Sequence, residues 1–270
     1  MKYIASCSGG KDSVATILLA LEHGEPLDEV VYCEVMFSPE ISGEVPEHRE
    51  FVVDRLKPFV EKVVGCKFTH LVPKKTYLYM FHHMRKKGLN IGKKCGFAFP
   101  ARCDINRSCK MPPIRAHLKT LGEDVTQYIG IEFDETDRLM RLEGTNKVSL
   151  LEKYRLNSAD ARQLCEQYGL LSPSYIWCRR NGCWFCPNIK DREIGHLMID
   201  HPHLWQALLD LGKTPNIVRT RLTYDETPSE IDARLRLNGV KMSLEEIMWR
   251  DRLPARHAGG QLDMFGGEAI

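Results

Sequence analysis

The chain has 270 residues, enough to bury a sizeable hydrophobic core, and this length fits one large domain with an appended module. Hydrophobic residues make up 43% and charged residues 27% of the chain, and no apolar run reaches the roughly 18 residues that a membrane span needs. The net charge of +2 gives no overall field that favours nucleic acid. We therefore expect a protein without membrane association.

The first residues predict a strand and not a targeting segment. Residues 2–6 are strand-like and lack the charged lead and apolar stretch of a signal peptide, so we expect a cytoplasmic location. The chain has 10 cysteines. In a cytoplasmic protein so many cysteines favour metal binding or thiol chemistry over a disulfide framework.

Strand-like and helix-like segments alternate in the first half. The predicted strands, rich in β-branched or aromatic residues, are 3–7, 29–35, 67–72 and 125–131. Helical spacing of apolar residues predicts helices at 12–23 and 46–63. This order predicts an α/β fold with a doubly wound, mostly parallel sheet covered on both faces.

The second half predicts an appended helical module. Residues 95–113 contain three cysteines and three prolines and predict a long loop beside the sheet. Helices are predicted at 159–168, 189–199, 203–211, 228–237 and 243–250. We expect a nucleotide-binding domain at 1–155, a helical, cysteine-rich module at 156–215, and a helical tail at 216–270 that ends in a flexible segment.

A glycine-rich loop separates the first predicted strand from the first helix. Residues 8–13 read Ser-Gly-Gly-Lys-Asp-Ser, which places backbone amides and a helix N-terminus in front of an anion. Gly9 and Gly10 allow close approach, Ser8 and Ser13 offer hydroxyls, and Lys11 supplies positive charge. We predict a phosphate site here; the alternative is an ordinary capped turn.

The Ser-Gly-Gly-Lys-Asp-Ser segment resembles the signature of the PP-loop, or N-type, ATP pyrophosphatases. The resemblance implies an adenine nucleotide alpha hydrolase-like fold and cleavage of ATP, with Mg²⁺, between its α- and β-phosphates. It implies nucleotide binding by all six loop residues, with Lys11 and Asp12 as catalytic residues.

Further segments resemble the phosphoadenosine phosphosulfate (PAPS) reductase-like branch of that family. Glu34 follows the second predicted strand, where the branch has an acidic residue near the nucleoside. Gly130 and Arg138 match a loop that contacts ligand, so the resemblance implies nucleotide binding by both, with ordinary surface positions as the alternative. Glu132 departs from the pattern, because an arginine is usual there.

Three cysteines cluster late in the chain. Cys183 and Cys186 stand three positions apart, where two thiolates can bind one metal centre from a single turn, and Cys178 precedes them. The alternative is a group of buried apolar cysteines. A zinc ion or a cubane cluster usually needs four ligands, so the segment with Cys103 and Cys109 is the expected source of another.

The resemblance implies a [4Fe-4S] cluster at this centre, with Zn²⁺ as the alternative. Five cysteines compete for four places, namely Cys103, Cys109, Cys178, Cys183 and Cys186, with Cys95 a weaker sixth. Cys7 and Cys33 lie inside predicted strands and are expected to be packing residues, and Cys66 and Cys165 are assigned no role.

Three functions remain open from the sequence. Sulfonucleotide reductases carry a nucleophilic cysteine near the C-terminus, and no cysteine follows Cys186, which disfavours PAPS reduction. The favoured function is adenylation of a substrate for sulfur transfer to a nucleic acid (tRNA or DNA) or a nucleotide, with a possible sulfur-donor protein as partner. The third is a non-catalytic adenine-nucleotide-binding regulator, and a homodimer is a further expectation.

Two basic stretches bear on the nucleic-acid hypothesis. Residues 85–94 contain five lysines and arginines, and Arg219 and Arg221 form a second pair. Either stretch could meet phosphates, and a solvated surface is the alternative.

Overall fold

A computed structural model describes residues 1–100, 103–122 and 124–252. The chain forms two compact units: Met1–Lys75 with Asn106–Pro173, and Thr76–Ile105 with Ser174–Ile270. The predicted division at residues 155 and 215 differs from these bounds because residues 76–105 group with the C-terminal half of the chain. The flexible ending expected for the tail lies outside the described residues.

In the described part of the chain, no helix combines the length and the apolar character that crossing a bilayer requires. The strands in chain order are β1 (Lys2–Cys7), β2 (Glu29–Cys33), β3 (Lys67–Leu71), β4 (Lys94–Gly96), β5 (Val125–Tyr128), β6 (Lys147–Val148) and β7 (Ile217–Arg219). The helices are α1 (Lys11–Glu22), α2 (Pro46–Glu50), α3 (Lys57–Phe59), α4 (Tyr77–Phe81), α5 (Met111–Thr120), α6 (Thr136–Leu139), α7 (Leu150–Lys153), α8 (Ser158–Gln167), α9 (Asp191–Asp200), α10 (Pro202–Gly212), α11 (Pro228–Asn238) and α12 (Leu244–Arg252).

The first unit contains a parallel sheet with the strand order β3-β2-β1-β5-β6. Side chains of β1 alternate between two cores. Ile4 joins Val31 and Val125 on the face that is covered by Leu118 of α5 and by Leu121, which directly follows that helix. The opposite face holds the larger core, whose members come from β1, α1, α8 and the helical run at 46–64. The prediction of an α/β fold with helices on both faces is confirmed.

The helix predicted at 46–63 is present as one helical run with a varying turn. It comprises α2, a π-helical segment at Phe51–Leu56, α3 and a second π-helical segment at Val60–Val64. Pro58 lies in α3, where it has no N–H to donate and its ring crowds the carbonyl one turn earlier. Gly65 ends the run in the left-handed conformation, with φ of +77°.

The prediction of a loop throughout 95–113 is wrong at both ends. Residues 94–96 form β4, and a π-helical segment at Asn106–Lys110 runs directly into α5. Pro112 and Pro113 lie near the start of α5, inside this continuous helical run, where neither can donate a backbone hydrogen bond. Prolines are typical of loops, but these two lie within a helical run, as Pro58 does.

The second unit is mainly helical, as predicted, and adds a two-stranded parallel pairing of β4 with β7. Helix α11 begins with a capping box, in which Thr227 and Glu230 satisfy each other's backbone amides. Buried side chains of α9, α10 and α11 form much of this unit's core, including Ile194, Trp205 and Ile231.

Candidate nucleotide site and cysteine centre

The glycine-rich loop leaves the carboxyl end of β1, next to the carboxyl end of β5. From β1 the chain passes through α1 to β2 on one side, while β5 pairs with β1 on the other. The strand order therefore reverses between β1 and β5. Open parallel sheets bind ligands in the crevice at such a point.

Backbone geometry in the loop requires glycine. Gly9 has φ of +74°, and a Cβ there would lie 2.4 Å from Cγ2 of Val52. The loop is braced by Ser13, whose hydroxyl donates to the Gly10 carbonyl (2.8 Å) and accepts from the Ser8 amide (3.2 Å). Because α1 begins at Lys11, its first-turn amides face the carboxyl edge of the sheet.

His48, which lies in the helical run at 46–64, holds the phosphate loop in place. The sequence pattern of that run did not indicate this role. Its Nε2 lies 2.9 Å from the Ser8 carbonyl oxygen and its Nδ1 lies 2.9 Å from the Ser172 hydroxyl. Burial lowers the pKa of His48, so the ring is neutral. Since a carbonyl can only accept, Nε2 carries the proton and Nδ1 accepts from Ser172.

Lys11 lies between two carboxylates. Its Nζ is 2.5 Å from Asp12 Oδ1 and 2.6 Å from Glu132 Oε1. Burial raises the pKa of Asp12 despite its bond to Lys11. Burial also opposes the charge of Glu132, but its bonds to Lys11, Asp12 and Ser158 and the charge of Lys11 together outweigh burial and lower its pKa. Burial opposes a charged Lys11, yet its bonds to both carboxylates raise its pKa. Glu132, noted from the sequence as a departure, thus contacts the loop lysine.

Gly130 closes the crevice from the β5 side. A Cβ at Gly130 would lie 2.7 Å from the backbone carbon of Asp12, so the two loops touch backbone to backbone. Arg138, predicted to bind nucleotide, pairs with Glu135 through Nη1 at 2.7 Å from Oε1 and has 45% of its side chain exposed. The structure therefore places Gly130 against the phosphate loop and Arg138 in an ion pair.

Glu34 follows β2 at the same sheet edge and is buried. Its carboxylate accepts from Arg49 Nε (2.7 Å) and from His70 Nε2 (2.8 Å). Burial opposes the charge, but the bonds from His70, Ser42 and Arg49 outweigh it and hold the pKa at about 2. Glu34 is thus a charged group fixed by its neighbours.

Four cysteines of the first unit are buried: Cys7, Cys33, Cys109 and Cys165. Packing roles predicted for Cys7 and Cys33 are confirmed by their exposures of 4% and 0%. Burial raises the pKa of Cys33 to about 11, and the Cys109 thiol adds to that shift. Cys109, one of the five predicted ligands, therefore lies near Cys33 in the first unit.

The Cys183 to Cys186 turn lies in the second unit. The Cys186 amide donates to the Cys183 carbonyl at 2.9 Å. The two residues between them, Trp184 and Phe185, are 1% and 2% exposed, and Phe185 stacks on Tyr77 at 4.0 Å. Because the intervening side chains anchor the turn in the core, the two half-buried thiols are held at its ends.

Cys103 and Cys178 belong to the same unit as this turn. The Cys103 thiol is near enough to Cys186 to contribute to the raised pKa of that thiol, after the larger effect of burial. Cys178 Sγ lies 3.4 Å from Asn181 Oδ1.

No three sulfur atoms among the described cysteines lie within 4.8 Å of one another. Thiolates bound to one zinc ion, with zinc–sulfur bonds of about 2.3 Å, have their sulfur atoms about 4 Å apart. The cysteine sulfur atoms that bind an iron–sulfur cube lie farther apart than this.

No protein-family model and no curated protein sequence matches this chain. Among solved structures, the chain is similar to the U34-tRNA thiolase NcsA from Methanococcus maripaludis with its [4Fe-4S] cluster. The match covers 90% of this chain and 83% of that chain at 14% identity, with a TM-score of 0.41. A likeness this distant gives no information about the activity or the ligands of the chain.

Proposed function

We propose that the chain is an ATP pyrophosphatase-type enzyme that adenylates a substrate oxygen for sulfur transfer to a nucleic acid or nucleotide. One observation carries the proposal. The Ser-Gly-Gly-Lys-Asp-Ser loop, which contains Lys11 and leads into the first turn of α1, lies where the strand order of the sheet reverses. The sequence of this loop resembles the PP-loop ATP pyrophosphatases.

The proposed reaction begins with ATP in the crevice. A substrate oxygen attacks the α-phosphorus, the bond to the bridging α–β oxygen breaks, and pyrophosphate leaves with the electron pair. Lys11 neutralises charge that develops on the departing pyrophosphate, and the amides of α1 hold its oxygens. Asp12 and Glu132 offer the oxygen ligands that Mg²⁺ prefers, and the bound ion would supply further neutralising charge.

In the second step a sulfur nucleophile, supplied as hydrosulfide, attacks the adenylated carbon. The carbon–sulfur bond forms and the carbon–oxygen bond to AMP breaks. Four cysteines of the second unit are the proposed ligands of a [4Fe-4S] cluster: Cys103, Cys178, Cys183 and Cys186. Their donor set fits such a cluster, which when bound would supply an iron that binds sulfur.

Pyrophosphate exchange tests the ATP half of the proposal. Full-length protein with ATP, Mg²⁺ and radiolabelled pyrophosphate should incorporate label into ATP when an acceptor is present, and Lys11→Ala should lose at least about 100-fold of that rate. Lys62→Ala, an exposed lysine of the same unit, is the matched control.

Two results would replace this function with another. Sulfite release from an adenosine phosphosulfate, without pyrophosphate exchange, would identify a reductase. ATP binding without exchange for any nucleic-acid or nucleotide acceptor would identify a regulator.

A further inference from the structure

The second unit contains a cavity of about 850 Å³ that the predicted nucleotide site does not use. Its walls come from residues within 77–99, from 104–105 and from 218–221, and the pairing of β4 with β7 brings these distant stretches of the chain together. Gly96 permits this pairing, because it has φ of +80° and a Cβ there would lie 2.3 Å from the Arg219 carbonyl oxygen. The cavity is thus built by a close backbone approach that only glycine allows.

Positive charge dominates the cavity wall. Arg85, Lys86, Lys87 and Arg221 line it, are exposed, and form no ion pair with any described residue. Among the described lining residues, Asp104 is the one carboxylic acid. Exposed positive charge at this density attracts a polyanion, although the net charge of the whole chain is small.

An aromatic platform stands beside these charges. Phe99 lines the cavity with 49% of its surface exposed, and the Arg219 guanidinium lies 5.0 Å from its ring centroid. Arg219 is fixed there because it donates to the carbonyl oxygens of Arg221 (3.1 Å) and Thr223 (2.5 Å). An exposed ring next to a fixed guanidinium is a surface on which an unpaired base can stack.

The cavity also adjoins the cysteine centre. Tyr77 lines the cavity and stacks on Phe185, which lies between Cys183 and Cys186 in the cysteine turn. Asp104, another lining residue, directly follows Cys103 in the chain. A ligand held in the cavity would therefore lie close to the cysteines proposed to take part in sulfur transfer.

We propose that this cavity binds a single-stranded segment of nucleic acid, with backbone phosphates on Arg85, Lys86, Lys87 and Arg221 and a base stacked on Phe99. The inference deepens the proposed function and rests on it for the role of that segment as sulfur acceptor. A duplex keeps its bases stacked and paired, so its bases cannot reach Phe99.

Fluorescence anisotropy of full-length, anaerobically purified protein tests the proposal with fluorescein-labelled 20-mers of single-stranded RNA, single-stranded DNA and duplex DNA, without ATP. We expect either single strand to bind more tightly than the duplex. Phe99→Ala should weaken single-strand binding about 5- to 100-fold, while Phe99→Trp restores it. Because Phe99 is half-exposed, neither variant should unfold the protein.

Charge is tested separately. Lys86→Gln combined with Lys87→Gln should reduce the slope of log affinity against log salt by about 1.4, the expected loss for two phosphate contacts on a single strand. Lys62→Gln combined with Lys119→Gln removes the same charge from exposed positions of the first unit and should leave the slope unchanged.

Preference for RNA or for DNA would identify the acceptor class within the proposal. The cavity proposal would be overturned if the two lysine pairs changed the salt slope equally, if Phe99→Ala kept the full affinity for single strands, or if duplex DNA bound more tightly than single strands. Failure of oligonucleotide binding with pyrophosphate exchange intact would reject the cavity proposal alone. Oligonucleotide binding without exchange would reject the proposed function instead.

Discussion

Lys11 and Glu132, which are far apart in sequence, meet at 2.6 Å between Nζ and Oε1 at the mouth of the predicted phosphate site. The side chains are 11% and 14% exposed, so their charges are only partly screened by solvent. Without a nucleotide, the lysine is thus neutralised by carboxylates of its own chain. A phosphate that enters the site must compete with Glu132 for Lys11.

Removing that competing charge should therefore strengthen ATP binding when no divalent metal is present. In EDTA we expect Glu132→Gln to tighten ATP binding about tenfold, from the loss of one unit charge a few ångströms from the phosphates. With Mg²⁺ the gain should disappear and pyrophosphate exchange should slow, because Glu132 is a proposed metal ligand. Titration calorimetry measures both affinities.

Glu143→Gln is the matched control for this charge change, since Glu143 is an exposed carboxylate of the same unit. Equal ATP affinity of Glu132→Gln and Glu143→Gln in EDTA would mean that Glu132 does not face the nucleotide.

Two glycines of the site should not tolerate a methyl group. We expect Gly9→Ala and Gly130→Ala each to lower the free energy of unfolding by about 2 to 4 kcal/mol and to abolish measurable ATP binding. At Gly9 the cause is a left-handed backbone together with contact to Val52; at Gly130 it is contact with the backbone of Asp12. Urea denaturation and calorimetry measure the two effects.

Gly144→Ala separates backbone strain from steric contact. Gly144 has φ of +69°, close to that of Gly9, but a Cβ there would meet nothing within 4 Å. We expect this variant to lose about 1 kcal/mol and to bind ATP normally. If all three variants lost the same stability, close packing of the loop would not be the cause.

The phosphate loop could be predicted from sequence because its geometry is local: a strand, two glycines and a helix follow one another within residues 2–22. Its supports could not. His48 reaches Ser8 from inside a helical run, and Glu132 reaches Lys11 from a loop after β5, and neither approach leaves a periodic signal. Contacts that depend on packing between distant segments are invisible to patterns that span one element.

The cysteines show the same limit. Cys103 and Cys109 are close in sequence, and both are among the five cysteines that compete for four ligand places. The boundary between the two units falls between them, after Ile105. A spacing rule applies within one turn, as at Cys183 and Cys186, and does not decide which of Cys103 and Cys109 is a ligand.

The buried Glu34 carboxylate should make stability depend on acid pH. Its pKa is about 2 in the folded chain and 4.5 in a free side chain. The folded state therefore binds the proton less tightly, so this stabilisation is present above about pH 4.5 and is lost as the pH falls toward 2. The contribution at neutral pH is on the order of 3 kcal/mol.

Urea denaturation between pH 7 and pH 3 tests this dependence. Glu34→Gln should be less stable than the parent protein at pH 7, and the difference should shrink as the pH falls, because the carboxyl then becomes protonated in the parent too. Glu61→Gln, at an exposed position of the same unit, should show a small difference that does not vary with pH. A constant deficit for Glu34→Gln would assign its role to packing and not to charge.

The proposed ligand set makes a prediction for metal content that separates Cys183 from Cys109. Protein purified without oxygen should contain about four irons and four sulfides, and Cys183→Ser should lose them. Cys109→Ser should keep the full content, because Cys109 lies in the first unit near Cys33. The Cys109→Ser variant should instead lose stability, since a hydroxyl replaces a thiol that is 1% exposed.

Iron, sulfide and zinc analysis with a visible spectrum measures the metal content, and urea denaturation measures the stability. Stoichiometric zinc in place of iron would make the centre structural, and loss of metal from Cys109→Ser but not from Cys183→Ser would overturn the ligand assignment.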